Sequence, residues 1–180
     1  TQIILVPIPK EELTLQNATI ITRLPYDNYE QESGYFNRSI TCNRSNTVIK
    51  NVKHQVDDIE KIGGPYYGFI RLSYVTNIKL KSMILYTHKF DKASNYDLIL
   101  KCCTNVLIED VTSNDIEDKN RWGITGTNYT KDITYKSCSL NRIDAHCGVY
   151  NLTIENCIIG TKGLTLTGAG KLKISNTTRI

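Results

Sequence analysis

Short stretches in which apolar and polar residues alternate recur along the chain. Five of them share a common core pattern, and these cores begin at Thr76, Thr104, Lys131, Tyr150 and Gly170. Weaker copies begin at Gln16 and Ser45. The number of residues from the start of one copy to the start of the next is larger for the copies before Lys131 than for those from Lys131 onwards. A fixed core with insertions of different length is typical of a solenoid with variable loops.

The same positions are apolar in every core. One column contains Ile78, Val106, Ile133, Leu152 and Leu172, and the next but one contains Leu80, Ile108, Tyr135, Ile154 and Ile174. The residues between these columns are mostly polar, so the period is two, as in a half-buried strand. A later column of small polar residues predicts a turn in each copy: Ser82, Asp110, Ser137, Asn156 and Asn176.

A second strand-like stretch precedes each core, for example YGFIRL from Tyr67 and DAHCGV from Asp144. Short strands that recur in this way, two or three to each copy, predict an all-β fold, a parallel β-helix whose rungs hydrogen-bond to one another. An antiparallel sandwich is the alternative, but it does not require the same columns in every copy. We expect β-helix rungs over residues 66–180, and a cap or early rungs with loops over residues 1–65.

Composition narrows the class of protein only slightly. The chain has 180 residues and a formal charge of +4, and no apolar run is long enough for a membrane span. A mild basic excess fits an anionic polymer, whereas no basic cluster resembles a nucleic-acid site. Because the chain begins at Thr1 and ends abruptly at Ile180, we expect it to be part of a longer protein.

The six cysteines show no metal-binding or redox spacing. Cys138 and Cys157 replace Met83 and Val111 in an apolar column, which predicts buried fillers stacked in adjacent rungs. We therefore expect free thiols and no disulfide bonds.

The segment NRIDAHCG contains the residues best suited to catalysis. In a strand, Arg142, Asp144 and His146 share one face, while Ile143, Ala145 and Cys147 share the other. The carboxylate can orient the imidazole for general acid–base work, and the arginine can bind a phosphate or carboxylate. The alternative interpretation is an ordinary solvated strand face.

The same alternation extends a polar stripe onto the preceding rungs. It turns Trp122 and Ile124 inward and Thr125 outward, and it predicts exposed substrate-binding positions at Asp97, Lys101 and Arg121. The neighbouring loop from Thr112 to Arg121 adds three carboxylates: Asp115, Glu117 and Asp118. These could contact substrate, pair for glycoside hydrolysis or hold a divalent cation, and a solvated insertion is the simplest alternative.

The two remaining histidines, His54 and His88, are predicted to be surface residues because they lie in loop-like stretches without an evident partner. No motif in the sequence requires a cofactor or a bound metal.

The segment from Trp122 to Gly160, and NRIDAH in particular, resembles the tail appendages of phages that infect Gram-positive bacteria. The resemblance is to the preneck appendages, or tailspikes, of phi29-like Bacillus phages. It implies a right-handed, pectate-lyase-like β-helix in a homotrimer on the virion tail. It also implies binding and phosphodiester cleavage of wall teichoic acid, with His146, Asp144 and Arg142 in the catalytic site.

Two other functions fit the same pattern. One is a non-catalytic adhesin or structural spike, and the other is a glycosidase or lyase of similar fold, including a secreted bacterial protein. The fold does not separate these functions, whereas the chemistry of the site does.

Overall fold

The structure is a computed structural model that describes residues 7–23, 40–57, 67–86, 96–119 and 124–180. Within these ranges the regular structure is entirely β-strand and every strand pairing is parallel, so the predicted all-β class is confirmed. The strands are β1 (Leu13–Thr22), β2 (Ile40–Cys42), β3 (Thr47–Val56), β4 (Tyr67–Ser73), β5 (Thr76–Leu85), β6 (Tyr96–Lys101), β7 (Thr104–Ser113), β8 (Ile124–Asn128), β9 (Lys131–Lys136), β10 (Ser139–Glu155), β11 (Ile158–Ser175) and β12 (Thr178–Arg179).

Strands from successive copies lie side by side in two stacks. One stack follows the order β1, β3, β5, β7, β9, β10, and the other follows β2, β4, β6, β8, β10. Strand β10 belongs to both because its first part pairs with β8 and its last part with β9, and β11 pairs with both parts. The weak copies form β1 and β3 in the first stack, while the division of the chain at residue 65 stays a prediction.

The two predicted apolar columns are confirmed by the pairing register. Ile78 pairs with Val106 and Leu80 with Ile108, and the same alignment continues through β9, β10 and β11. Column members on β5, β7, β9 and β10 are almost completely buried, whereas Leu172 on β11 is 53% exposed. Leu172 is uncovered because β12 pairs with β11 only at Ile158 and Ile159 among the described residues.

The predicted turn column forms breaks between strands at Ser137, Asn156 and Asn176, whereas Ser82 and Asp110 lie within β5 and β7. Its five residues have φ between 46° and 56°, the left-handed region that short polar side chains tolerate best: Ser82, Asp110, Ser137, Asn156 and Asn176. A second left-handed column contains Asn46, Asn77 and Asn105. There, Asn105 Nδ2 donates to Asn77 Oδ1 at 2.7 Å, and Asn77 Nδ2 donates to Asn46 Oδ1 at 2.8 Å. These asparagines bend each copy and join it to the next.

Cysteines fill part of the core as predicted. The backbone amide of Cys138 donates to Cys157 Sγ at 3.4 Å, which confirms that the two thiols stack in adjacent copies. All six cysteines are free thiols in this structure. The hydrogen bond with Cys157, together with burial, raises the pKa of Cys138, and burial raises the pKa of Cys103 to about 11.

No helix in the described ranges is long and apolar enough to cross a membrane.

Candidate active site

The first part of β10 presents the predicted Arg-Asp-His cluster. Ile143 and Ala145 are buried on the core side, which leaves Arg142, Asp144 and His146 on the opposite side of the strand. The predicted alternation is therefore correct for these five residues.

A buried carboxylate lies at the centre of the cluster. Asp144 is only 1% exposed; its Oδ1 accepts a hydrogen bond from Arg142 Nη2 at 3.2 Å and lies 2.7 Å from His146 Nδ1. A buried carboxylate is costly unless it is hydrogen-bonded, and these two contacts supply that compensation. Asp144 therefore organises the cluster and is not the exposed group that strand alternation alone predicted.

His146 is the exposed member, with 43% of its side chain accessible. Because Nδ1 lies against the carboxylate, Nε2 is the ring nitrogen that faces other groups. An imidazole fixed in this way has the arrangement required of a general base, and its protonated form can act as a general acid.

Strand β11 completes the cluster, which the sequence did not predict. Thr165 pairs with Asp144 in the strand register, and its Oγ1 accepts a 2.7 Å hydrogen bond from Arg142 Nη2. Thr167 Oγ1 donates to the backbone oxygen of His146. Both threonines lie in the stretch GLTLTG, so alignment with DAHCGV could have identified them as neighbours of the cluster.

A register shift follows the carboxylate. Asp144 pairs with Gly126 and Cys147 pairs with Asn128, so β10 uses one more residue than β8 over this interval. A bulge of this kind redirects the side chains beside it. The bulge also explains the position of Cys147. The sequence predicted that Cys147 would lie on the core side with Ile143 and Ala145, but the residue is only half-buried.

The exposed position predicted for Asp97, a candidate substrate-binding residue, is wrong. Asp97 is 1% exposed, and its Oδ2 accepts a 2.5 Å hydrogen bond from Ser113 Oγ at the end of β7. The strand alternation was right, since Leu98 and Leu100 face the core. Alternation predicts the side of the sheet from which a residue projects, but not whether other residues cover that side.

The other predicted stripe residues have different surroundings. Lys101 is half-buried, and its Nζ lies 5.8 Å from the centre of the Tyr74 ring. Arg121 and Trp122 lie outside the described residues. In β8, Thr125 and not Ile124 aligns with the core positions Leu98 and Ile143, so the predicted alignment of this strand was off by one residue.

The acidic loop is tied to the strands by its backbone. Asn141 Nδ2 donates to the carbonyl oxygens of Ile116 at 3.0 Å and Asp118 at 2.9 Å, and the Thr161 amide donates to Ile116 at 3.0 Å. The side chains of Asp115 and Glu117 are exposed, and that of Asp118 is half-buried. This geometry favours the solvated insertion among the alternatives considered for the loop.

Two further predictions concern histidine and metal. His54 is buried on β3 and stacks on Phe69 with ring centres 4.0 Å apart, so its predicted surface position is wrong. The sequence around His54 resembled a loop, but it is part of β3, and the strand places the His54 side chain in the interior. His88 lies outside the described residues. Within the described ranges, no group of three or more His, Cys, Asp or Glu residues is arranged to hold a metal ion.

The comparisons with known proteins concern the fold. No family model and no curated protein sequence matches the chain. A solved structure described as a "putative glycosyl hydrolase" from Parabacteroides merdae is 16% identical, with a TM-score of 0.53 over 78% of this chain and 75% of that one. Pectin methylesterase PemA from Erwinia chrysanthemi is 10% identical, with a TM-score of 0.39 over 95% of this chain and 59% of that one. At such identity, the first similarity indicates a shared fold and leaves the reaction open.

Proposed function

We propose that this protein is a right-handed parallel β-helix hydrolase that cleaves phosphodiester bonds in an anionic cell-wall polymer, with wall teichoic acid as the expected substrate. The observation that carries the proposal is the cluster in which buried Asp144 binds both His146 and Arg142. This is an imidazole, carboxylate and cation arrangement, which suits phosphoryl chemistry better than a pair of carboxylates does.

The β-helix assignment is supported by the pairing pattern. Parallel strands from successive copies lie beside one another, and left-handed residues separate the straight segments of each copy. Right-handed winding is the rule when a chain returns to a parallel strand of the same sheet.

In the proposed reaction, the His146 Nε2 atom removes a proton from the attacking oxygen, which is a water or a neighbouring hydroxyl of the polymer. The new oxygen–phosphorus bond forms as the bond to the leaving oxygen breaks, and the imidazolium returns a proton to that oxygen. Asp144 holds the ring in place. Arg142 places a fixed positive charge beside the phosphate.

A sugar polymer is the second candidate substrate. The fold shared with the glycosyl hydrolase neighbour supports carbohydrate processing as the broader class. A glycosidase requires a second carboxyl group about 5 to 10 Å from the first. Asp115 and Glu117 expose their carboxylates to solvent on a neighbouring loop.

The resemblance to phage appendages supports a further proposal about setting, namely a homotrimer on the virion tail. Sedimentation of the purified chain tests the assembly, and a monomer at all concentrations would contradict it for this chain.

The decisive experiment is incubation with purified wall teichoic acids and with neutral and acidic polysaccharides, followed by product analysis. New phosphomonoester ends are expected from teichoic acid if water attacks, and cyclic phosphodiester ends if a neighbouring hydroxyl attacks; either product should disappear with His146→Ala but persist with Thr153→Ala. New reducing sugar ends would instead favour the glycosidase. Binding without any product would favour the adhesin.

A further inference from the structure

Two tyrosines stand exposed at one corner of the stacked copies. Tyr74 and Tyr129 are 70% and 73% exposed, and both have left-handed backbones, with φ of 56° and 51°. This conformation is uncommon for a bulky residue. The rings therefore occupy this corner without contributing to the core.

Backbone hydrogen bonds show that the two tyrosines occupy equivalent positions. The amides of Tyr74, Cys102 and Tyr129 each donate to the next copy, at Lys101, Asn128 and Cys147 respectively. Tyr74 and Tyr129 are thus two copies apart. Because adjacent strands lie about 4.8 Å apart, their backbones are separated by roughly 10 Å along the stack.

Tyr129 also borders the candidate active site. A Cβ atom on Gly148 would lie 3.2 Å from Cδ1 of the Tyr129 ring, so the ring rests against this glycine. Gly148 is two residues beyond His146 in β10, and its own φ is 67°. The ring therefore lies at the edge of the site, where glycine leaves room for it.

Lysines accompany the exposed rings. Lys101 Nζ lies 5.8 Å from the centre of the Tyr74 ring, and Lys131 Nζ lies 5.5 Å from the centre of the exposed Tyr150 ring. We call the five residues Tyr74, Lys101, Tyr129, Lys131 and Tyr150 the tyrosine ledge. Its aromatic faces suit the C–H faces of sugar rings, and its ammonium groups suit phosphate or carboxylate.

We propose that the tyrosine ledge binds a polymer that carries both sugar rings and anionic groups, and that it guides this polymer towards His146. The inference rests on the proposed function and adds the sugar component of the substrate. A second copy of this protein is a less suitable occupant, because lysine is depleted in protein interfaces.

The test measures the affinity of purified glucosylated teichoic acid for the His146→Ala protein by titration calorimetry, so that cleavage does not interfere. Adding Tyr129→Ala should weaken binding at least about tenfold, as loss of a central aromatic contact does. Tyr129→Phe should bind normally. Tyr86→Ala is the matched control, because Lys53 Nζ lies 6.0 Å from that ring, beyond the other end of β5.

The possible outcomes distinguish a failure of the ledge proposal from a failure of the proposed function. Equal affinity of the Tyr129→Ala and control proteins, with cleavage by the wild-type protein intact, would overturn the ledge alone. Absence of both binding and cleavage by the wild-type protein would overturn the proposed function. If Tyr129→Ala dissociates an oligomer without polymer present, the ledge is an interface between copies. If Tyr129→Ala fails to fold, the same affinity measurement on Tyr74→Ala tests the ledge.

Discussion

The contact between Asp144 and His146 can be tested by a double-mutant cycle on polymer cleavage. Asp144→Asn keeps the size of the side chain but removes the negative charge that lies 2.7 Å from His146 Nδ1 and can accept its hydrogen bond. Hydrogen bonds to charged groups contribute about 1.5–3 kcal/mol. Since about 1.4 kcal/mol corresponds to a factor of ten in rate, kcat/KM should fall about 10- to 160-fold.

His146→Ala removes the proposed acid–base group itself. Its loss should lower kcat/KM by about 10² to 10⁴-fold, which is the usual contribution of such a group. The folded state should change little, because 43% of the His146 side chain is exposed and no core cavity is created. Thermal unfolding of each variant checks that the kinetic comparison is made on folded protein.

The double variant decides whether Asp144 acts through His146. If it does, adding Asp144→Asn to His146→Ala should produce little further loss, because the orienting contact no longer has a ring to orient. If Asp144→Asn lowers the residual activity by the same factor as in the wild-type protein, the orienting role is refuted. Thr153→Ala, from the polar face of the same strand, serves as the unreactive control.

Three further predictions concern stability and the thiols. Ile154→Ala should lower the free energy of unfolding by about 2–5 kcal/mol in denaturant titration, because the Ile154 side chain is fully buried. Thr153→Ala should be nearly neutral, because Thr153 is only half-buried. If Thr153→Ala is the more destabilising change, the strand register is wrong. Alkylation of the denatured, unreduced protein should modify all six cysteines, and a shortfall in the mass would show a disulfide. Burial raises the pKa of Cys103 from 9.0 to about 11, so the unfolded chain ionises first and stability should fall as pH rises through that window. Cys103→Ala should reduce this fall, and an unchanged pH dependence would argue against it.

The repeat pattern predicted the core because each copy had to bury the same positions. Alignment of the copies identified Leu80, Ile108 and Tyr135 as one column, and the strand register places them opposite one another. A one-residue shift would have turned each column to the wrong face, so period two and the repeat together fix the register. The alignment failed in β8, where Thr125 occupies the position expected for Ile124.

Burial of the polar residues could not be predicted in the same way. Asp97 and Asp144 project from the polar side of their strands, and yet each is 1% exposed. Residues distant in sequence help to bury these carboxylates. Ser113 donates to Asp97, and Thr165 accepts from Arg142, which itself contacts Asp144. A single strand shows which side a residue faces, whereas its accessibility depends on contacts between copies.

The position of the cluster follows from the changing length of the copies. The longer intervals before Lys131 leave room for insertions, whereas the shorter intervals from Lys131 to Gly170 leave almost none. Strands β10 and β11 therefore run on for 17 and 18 residues. The acidic loop belongs to the copy before this change. It packs against β11 where a Cβ atom on Gly160 would overlap the Ile116 carbonyl oxygen.

The same change in copy length is consistent with the accessibility of His146, the exposed member of the cluster. Asn141 holds the loop through its backbone carbonyls, so the loop's carboxylates turn towards solvent beside the cluster. The described part of the loop is therefore anchored to the residue before Arg142, while the short copies add no insertion of their own. Under the proposed function, an anionic polymer would be repelled by the exposed Asp115 and Glu117 and attracted by Lys101 of the tyrosine ledge, whereas Lys131 Nζ already lies 4.0 Å from Asp132 Oδ2. We therefore expect the proposed polymer to approach from the ledge rather than across the loop.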